Sequence, residues 1–180
     1  MKFANPAPLG LFGFAVTTWL LSMINVGWFT LASLPLMMST AFVFGGTAQF
    51  LAGLLEYPRG NTFGFVAFCS YGAFWWSFAL FIMVFGGHGP ITYLGAYLAV
   101  WGVFTLFMWV ATLKLPNRPL QLIFLTLWIT FFLLAASHLL NMDILHTAGG
   151  YVGLVTAALS FYLAAAEVIN ETHGKVVLPI

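Results

Sequence analysis

The residues that could do chemistry in this chain are few, and most of them stand inside long apolar stretches. Gln49 lies about eight residues, or roughly 12 Å, from the nearer end of its stretch if that stretch is helical. An amide at such depth in a bilayer needs a partner in the protein or in water. Gln49 therefore either bonds a neighbouring helix or lines a path for a polar solute. Gly45, Ala52 and Gly53 share its helical face, and this narrow stripe of small residues favours the path.

Two carboxylates lie near the ends of apolar stretches. Glu56 precedes Arg59 by three residues, and Glu167 precedes Lys175 by eight. Both could be structural carboxylates that snorkel or form salt bridges with these cations. The alternative for Glu56 is a gate or a proton site, since an ionisable residue near a membrane often has such a role. The residue types leave both interpretations open.

Other kinds of chemistry are disfavoured by the residues present. The one cysteine, Cys69, excludes an internal disulfide and a multi-cysteine metal site. The four histidines are His88, His138, His146 and His173. No two of them have the spacing of a metal or haem site on one helix, and no mid-span serine or aspartate has the partner that an intramembrane hydrolase needs. We therefore expect no metal, no cofactor and no enzyme activity. The net charge of +1 argues against nucleic acid as a partner.

The composition requires a membrane environment. Hydrophobic residues make up 62% of the 180 residues and charged residues 5%, against about 25% charged residues in a soluble domain. Six apolar runs reach the roughly 20 residues that a spanning helix needs. They cover about residues 9–30, 36–55, 63–85, 93–113, 120–140 and 148–168. The sequence thus predicts an all-α integral membrane protein, with one domain over residues 1–180 that forms a six-transmembrane-helix bundle.

The five cations predict the orientation. They are Lys2, Arg59, Lys114, Arg118 and Lys175. Six crossings bring all five to one side of the membrane, and the loops on the other side then hold no Lys or Arg. The positive-inside rule therefore predicts that both termini are cytoplasmic. The starts of the first, third and fifth helices would point their positive dipole ends to the same side, where an anion is favoured.

Small and aromatic residues predict how the helices pack. The third and fifth runs are rich in Phe and Trp, and we expect much of this surface to face lipid or another subunit. The sixth run carries Gly149 and Gly153 four residues apart, which lets a neighbouring helix approach closely. The first run places Phe14, Thr18 and Asn25 on one helical face, a second stripe that is able to line a path.

The start of the first run carries a distinctive heptapeptide. It consists of Asn5, Pro6, Ala7, Pro8, Leu9, Gly10 and Leu11. Asn5 can cap a helix, and proline is tolerated in a first helical turn. The heptapeptide resembles the signature of the acetate uptake transporter family, of the succinate–acetate permease type. Residues 49–64, residues 70–75 and the end of the chain continue the resemblance.

The resemblance implies a membrane transporter or channel for acetate and related small monocarboxylates, with succinate in some members, either proton-linked or passive. It also implies a homohexamer in the cell membrane, of the bacterial inner-membrane type, with a pore in each subunit. Matched residue by residue, it implies a hydrophobic constriction at Phe14, Tyr71 and Leu127, with Thr18 and Gln49 facing the pore. A second interpretation stays open, a channel for a neutral small solute such as urea, ammonia or an undissociated acid.

Overall fold

Six long helices make up the fold, as the sequence predicts. In the computed structural model, which describes residues 4–180, they are α1 (Ala7–Asn25), α2 (Leu31–Arg59), α3 (Thr62–Met83), α4 (Ile91–Thr112), α5 (Arg118–Leu140) and α6 (Asp143–His173). Each is long and apolar enough to cross a bilayer. No strand occurs within residues 4–180. The protein is therefore an all-helical, multi-pass membrane protein.

The first helix is shorter than its apolar run. It ends at Asn25, whereas the predicted end is at about residue 30. Gly27 has a φ of 80°, and its N–H donates to the carbonyl of Ile24 at 2.9 Å. The N–H of Trp28 donates to the carbonyl of Met23 at 3.0 Å. This is a Schellman motif, in which glycine supplies the left-handed residue that ends a helix. The apolar residues continue beyond Gly27, so hydropathy alone predicts too long a helix.

The last helix is longer than its predicted run, residues 148–168. It covers Asp143–His173, which is 31 residues. Asp143 lies in its first turn, where a negative charge is favoured by the helix dipole. Gly174, with a φ of 64°, lies just beyond its end. The extra turns carry polar residues, which hydropathy does not count as part of a span.

The second helix is one span built from five helical segments. They are the 3₁₀ turn Leu31–Ser33, the α-helical Leu34–Thr40, the π-helical Ala41–Ala48, the α-helical Gln49–Glu56 and the 3₁₀ turn Tyr57–Arg59. π-helical turns are rare and frequently occur at functional positions. Here the π-helical segment packs against α1 and α3, and it ends immediately before Gln49.

Two glycines let α1 and the π-helical segment approach closely. A Cβ atom on Gly13 would lie 2.7 Å from the carbonyl oxygen of Phe44, and one on Gly45 would lie 2.7 Å from Cγ2 of Thr17. Larger residues at these positions would push the two helices apart. The small and polar stripe predicted for α2 is buried throughout. Its members are Gly45, Gln49, Ala52, Gly53 and Glu56.

Aromatic side chains fill the space between α3, α4 and α5. The backbones of α3 and α4 touch each other little. Phe74 of α3 bridges the space, with ring centroids 5.2 Å from Trp101 and 5.4 Å from Phe131. Trp75 and Phe124 are buried as well. The buried rings of α3 and α5 fill a gap that the backbones leave open, so they are exceptions to the expectation that much of the surface of α3 and α5 faces lipid or another subunit.

The positive charges collect at the end of the bundle that carries both termini, which we name the termini end. The described cations are Arg59, Lys114, Arg118 and Lys175, whereas Lys2 lies outside the described residues. Arg59 Nη1 donates to the carbonyl of Ala4 at 2.8 Å, which ties the end of α2 to the start of α1. We name the opposite end the loop end. It holds the turns between α1 and α2, α3 and α4, and α5 and α6.

Candidate functional site

Two cavities occupy the interior of the bundle and meet at one level. The lower cavity lies toward the termini end and has a volume of about 350 Å³. The upper cavity lies toward the loop end and has a volume of about 110 Å³. Three residues line both cavities, namely Phe14, Tyr71 and Leu127. The structure therefore brings the three residues of the predicted constriction, from α1, α3 and α5, to the boundary between the cavities.

The boundary consists of closely packed side chains. Phe14, Tyr71 and Leu127 are all buried, and the ring centroids of the two aromatic residues are 5.9 Å apart. The Tyr71 hydroxyl lies 2.8 Å from the Thr105 hydroxyl, which itself donates to the carbonyl of Trp101. Because Thr105 uses its proton on that carbonyl, Tyr71 is the donor to Thr105. This bond to α4 holds the tyrosine ring, so the boundary presents ring and aliphatic surface.

Gln49 lines the lower cavity, where most neighbours are apolar. Its side chain is 1% exposed, and its Oε1 has no hydrogen-bond partner within residues 4–180. Leaving a buried acceptor without a partner costs about 1–3 kcal/mol. Such an atom commonly marks a place where water or a ligand completes the bonding. Thr18, the other polar residue predicted to face the pore, lines the upper cavity.

Three helix N-termini surround the lower cavity. Ala7, in the first turn of α1, lines it. Asn61 lines it too and caps α3, because its Oδ1 accepts from the N–H of Gly64 at 3.0 Å. Asn117 does the same for α5, with the N–H of Leu120 at 2.9 Å. Helix N-termini carry partial positive charge and favour anions. The helix N-termini therefore favour negative charge in the cavity, which no Lys or Arg of the described chain lines, whereas the carboxylate of Glu167, which also lines it, opposes further negative charge.

Two carboxylates lie at the mouth of the lower cavity, in different surroundings. Glu167 lines the cavity and accepts a hydrogen bond from Asn5 Nδ2 at 2.9 Å. Glu56 is 1% exposed and lies beside the cavity-lining Asn61, which donates to its Oε2 at 3.1 Å. Arg59 Nε lies 3.3 Å from the same oxygen. Glu56 Oε1, by contrast, has no hydrogen-bond partner in the described part of the chain.

The upper cavity is smaller and has different polar groups. They are Thr18, Ser22, Asn25, Trp75, Thr130, His138 and His146. Across residues 4–180, neither Thr18 Oγ1 nor Trp75 Nε1 has a hydrogen-bond partner, and both atoms are buried. The two histidine rings lie 5.7 Å apart across the turn at Asn141, whose φ is 53°. Sequence reasoning missed Trp75, which has the type of a core residue, and the histidine pair, whose members lie on different helices.

Comparisons with known proteins show which proteins are related to this chain. The sequence profile of the GPR1/FUN34/yaaH family matches residues 1–180. The chain belongs to this family. The resemblance inferred from the heptapeptide at the start of α1 is thereby confirmed.

Individual relatives cover almost the whole chain. The succinate-acetate/proton symporter SatP of Escherichia coli (strain K12) is 48% identical, over 99% of this chain and 96% of its own length. Acetate permease A of Emericella nidulans is 36% identical, over 99% of this chain and 66% of its own length. The solved structure of the bacterial acetate channel SatP matches with a TM-score of 0.94 and 45% identity, over 99% of both chains. The six-helix fold is therefore shared with this channel.

In this member of the family, the signature segment joins three helices. Pro6 is the residue before α1, and Asn5 Oδ1 accepts from the N–H of Ala7 at 3.2 Å. The amide of Asn5 reaches Glu167 of α6. A Cβ atom on Gly10 would lie 2.6 Å from the ring of Phe68 on α3. The segment thus fixes the start of α1 against α3 and α6 at the mouth of the lower cavity.

Proposed function

We propose that the protein is a membrane transporter or channel that carries acetate and related small monocarboxylates, with succinate as a further candidate. The observation that carries this proposal is that two cavities at opposite ends of the bundle share Phe14, Tyr71 and Leu127 as lining residues. The names of the relatives support it, because they describe an acetate permease, a succinate-acetate/proton symporter and an acetate channel.

Different parts of the proposed path accommodate the carboxylate group and the methyl group of acetate. A carboxylate group is favoured in the lower cavity by the three helix N-termini and by the amide of Gln49. An apolar constriction excludes strongly hydrated ions, because they would have to lose water there. The methyl group of acetate tolerates this loss, so Phe14, Tyr71 and Leu127 select for small, partly apolar acids.

The path holds its substrate weakly. Neither cavity is lined by a Lys or Arg among the residues that the structure describes. Amides, hydroxyls and helix N-termini are the stabilising groups that remain for an anion. Conduction requires binding that is favourable enough to admit a solute and weak enough to release it. The chemistry of both walls therefore suits rapid passage.

We assign Glu56 a gate or proton role at the termini end. Its Oε2 is occupied by Arg59 and Asn61, while its Oε1 has no hydrogen-bond partner in the described chain. Oε1 is thus the oxygen of this carboxylate that is left for a further partner. Glu167 lies on the wall of the lower cavity, which is part of the proposed path. Proton-linked and passive transport are both compatible with this arrangement, and the relatives carry the names symporter and channel.

The same proposal covers orientation and assembly. Cytoplasmic placement of both termini is supported by the cations at the termini end, and a cell membrane of the bacterial inner type fits this orientation. A homohexamer with one pore in each subunit is implied by the family resemblance. The proposed path lies within one chain, as such an assembly requires.

Uptake of labelled acetate into proteoliposomes tests the proposal. We expect uptake above that of protein-free liposomes, with weak inhibition by excess lactate. Replacing Phe14→Ala or Leu127→Ala widens the constriction, so lactate should inhibit about threefold or more strongly while acetate uptake persists. Leu122→Ala is the matched control, because Leu122 is an exposed residue of α5 that lines neither cavity.

Two outcomes contradict parts of this proposal. No uptake above protein-free liposomes would exclude acetate as the substrate. Unchanged lactate inhibition in both widened variants would show that the three shared residues do not select the substrate. Uptake without any electrical current, a separate result, would show that acetate crosses together with a proton, as the undissociated acid or by electroneutral symport, and would exclude passive conduction of the anion.

A further inference from the structure

Two histidines from different helices meet at the loop end of the upper cavity. His138 lies in the last turn of α5, His146 lies three residues after the start of α6, and both line this cavity. Their ring centroids are 5.7 Å apart, with an angle of 65° between the ring planes. Neither ring forms a hydrogen bond with another residue of the described chain. The pair therefore keeps its ring nitrogens available for a ligand.

A short turn between α5 and α6 fixes the two rings relative to each other. It consists of Asn141, whose φ is 53°, and Met142, whose N–H donates to the carbonyl of Ser137 at 3.0 Å. Further along the hairpin, a Cβ atom on Gly149 would lie 2.9 Å from the side chain of Leu134, so the two helices are in close contact. The histidines are thus brought together by backbone that is already ordered.

The distance between the rings suits one metal ion. Zinc binds histidine nitrogen at about 2.0–2.1 Å and prefers four ligands, so two imidazole rings that share a tetrahedral zinc have centroids about 5 Å apart. A separation of 5.7 Å is close to this value. No group of three or more His, Cys, Asp or Glu residues that could hold a metal ion occurs within residues 4–180. The pair would therefore bind the ion with two nitrogens, and water would take the remaining positions.

The charges at the loop end favour a cation. The turns at this end comprise residues 26–30, 84–90 and 141–142, and none of these is a Lys or Arg. Asp143 is exposed there, three residues before His146. His138 lies near the C-terminus of α5, where the helix dipole places partial negative charge. A divalent cation at the pair would thus meet no fixed positive side chain on these turns.

We infer that His138 and His146 form a binding site for a divalent transition-metal ion of the zinc class, and that the bound ion inhibits transport. The expectation of no metal considered histidines on one helix, whereas this pair spans two. The binding site stands on geometry alone, and the inhibition rests on the proposed function. A carboxylate is itself a zinc ligand. An ion here would therefore hold a passing acetate tightly, although conduction requires weak binding.

Calorimetric titration of the purified protein in detergent with zinc chloride tests the site. We expect one zinc ion per chain. Loss of an outer-shell partner already costs about 10–100-fold in metal affinity, so His138→Ala and His146→Ala should each weaken zinc binding about tenfold or more. Both side chains are half-buried, so their truncation leaves no enclosed void. Thermal melting checks folding, and either variant decides the question if the other melts too early.

His88→Ala is the matched control. His88 is an exposed histidine in the turn between α3 and α4, at the same end of the bundle, and it lines neither cavity. This variant should bind zinc like the parent.

Uptake of labelled acetate into proteoliposomes, with zinc chloride on both faces, measures the inhibition. Zinc should reduce uptake severalfold in the parent and in His88→Ala, and a chelator should restore it. His138→Ala and His146→Ala should need about tenfold more zinc for the same inhibition, in line with their weaker binding.

Four results are distinguishable. Weaker zinc binding and weaker inhibition in both cavity variants, with neither change in His88→Ala, support the inference. Zinc binding that is equal in the parent and both cavity variants overturns the site and leaves the proposed function intact. Binding at the pair without inhibition overturns the effect on transport. Absence of acetate uptake by the parent, with zinc binding as expected, overturns the proposed function and the inhibition but not the metal site.

Discussion

The lower and upper cavities both lie in a protein interior with few charges, but they offer a solute different stabilising groups. The lower cavity is about 350 Å³ and is surrounded by the N-termini of α1, α3 and α5. The upper cavity is about 110 Å³ and is lined by side-chain donors and two histidines. Three helices begin at each end of the bundle, but the first three residues of α2, α4 and α6, which begin at the loop end, do not line the upper cavity. The wall of the upper cavity therefore depends on side chains such as Thr18 and Trp75.

The two cavities also differ in the contacts that join the helices around them. Around the lower cavity, Asn5 joins α1 to α6, and Asn61 bonds to Glu56 of α2 while it caps α3. Beside the upper cavity, Phe74 of α3, which lines it, packs against the rings of Tyr97 and Trp101 of α4. Hydrogen bonds to carboxylates thus join helices around the lower cavity, whereas packed rings join α3 and α4 beside the upper one.

The largest expected effect comes from the wall that both cavities share. Gly13→Ala places a methyl group 2.7 Å from the carbonyl oxygen of Phe44, so α1 and α2 must separate beside Phe14. Overpacking of this kind costs about 1–3 kcal/mol. We expect a lower melting temperature in detergent and loss of most acetate uptake.

Gly89→Ala is the control for this glycine. Its added methyl group would have only ordinary contacts, the nearest 3.7 Å from the ring of Phe81. This variant should melt and transport like the parent. Parent-like behaviour of Gly13→Ala as well would contradict the close approach of α1 and α2.

The second-largest expected effect concerns Gln49, which lines the lower cavity and not the upper one. Gln49→Ala removes the amide that lines the lower cavity, so acetate uptake should fall about tenfold, as expected for a lost hydrogen bond to a charged group. Melting should change little, because Oε1 of Gln49 has no partner to lose within the described residues.

The chain's other glutamine provides the contrast. Gln121 bonds the carbonyls of Thr112 and Leu115 and lines neither cavity. Gln121→Ala should therefore clearly lower the melting temperature in detergent and change acetate uptake only slightly. Normal uptake with a loss of about 0.6–2 kcal/mol in Gln49→Ala would instead identify Gln49 as an interhelical contact.

The smallest effect concerns proton linkage at the termini end. Glu56→Gln keeps the shape of the side chain and an acceptor for Asn61, but removes the charge beside Arg59. We expect uptake driven by an inward proton gradient to fall about two- to threefold. Exchange of labelled for unlabelled acetate, which needs no net proton movement, should stay the same.

Glu171→Gln is the matched variant, because Glu171 is an exposed carboxylate at the same end of the bundle. It should match the parent in both assays. Equal losses of uptake and exchange in Glu56→Gln would show that Glu56 supports the structure of the mouth and does not handle protons.

Much of the fold was predictable, because a short chain with continuous apolar runs and one-sided cations is compatible with few folds besides a membrane helix bundle. The buried stripe from Gly45 to Glu56 was predictable from helical periodicity alone. The end of α1 was missed although Gly27 is a helix-stop signal, because the apolar residues after it outweighed that signal. The π-helical segment Ala41–Ala48 has no distinctive sequence pattern, since its buried positions also suit an ordinary helix.

The candidate site was also predictable only in part. The constriction residues came from a family resemblance, and periodicity alone would have classed Phe14 as core. Trp75 and the pair of His138 and His146 could not be predicted, because their meeting depends on how α3, α5 and α6 are arranged around one cavity. Residues on one helix follow from spacing, whereas residues from several helices require the packing itself.

The bond between Asn5 and Glu167 has a consequence for how the molecule is made. These residues are separated by 162 positions and lie at the two ends of the chain. A chain emerging from the ribosome presents its N-terminal part first. α1 therefore cannot pack against α6 until α6, the last helix, has been inserted. Until then the flank of α1 that packs against α6 stays open to lipid, and the lower cavity lacks one wall. A nascent chain that stops before α6 therefore lacks Leu163 and Glu167 and cannot enclose the lower cavity.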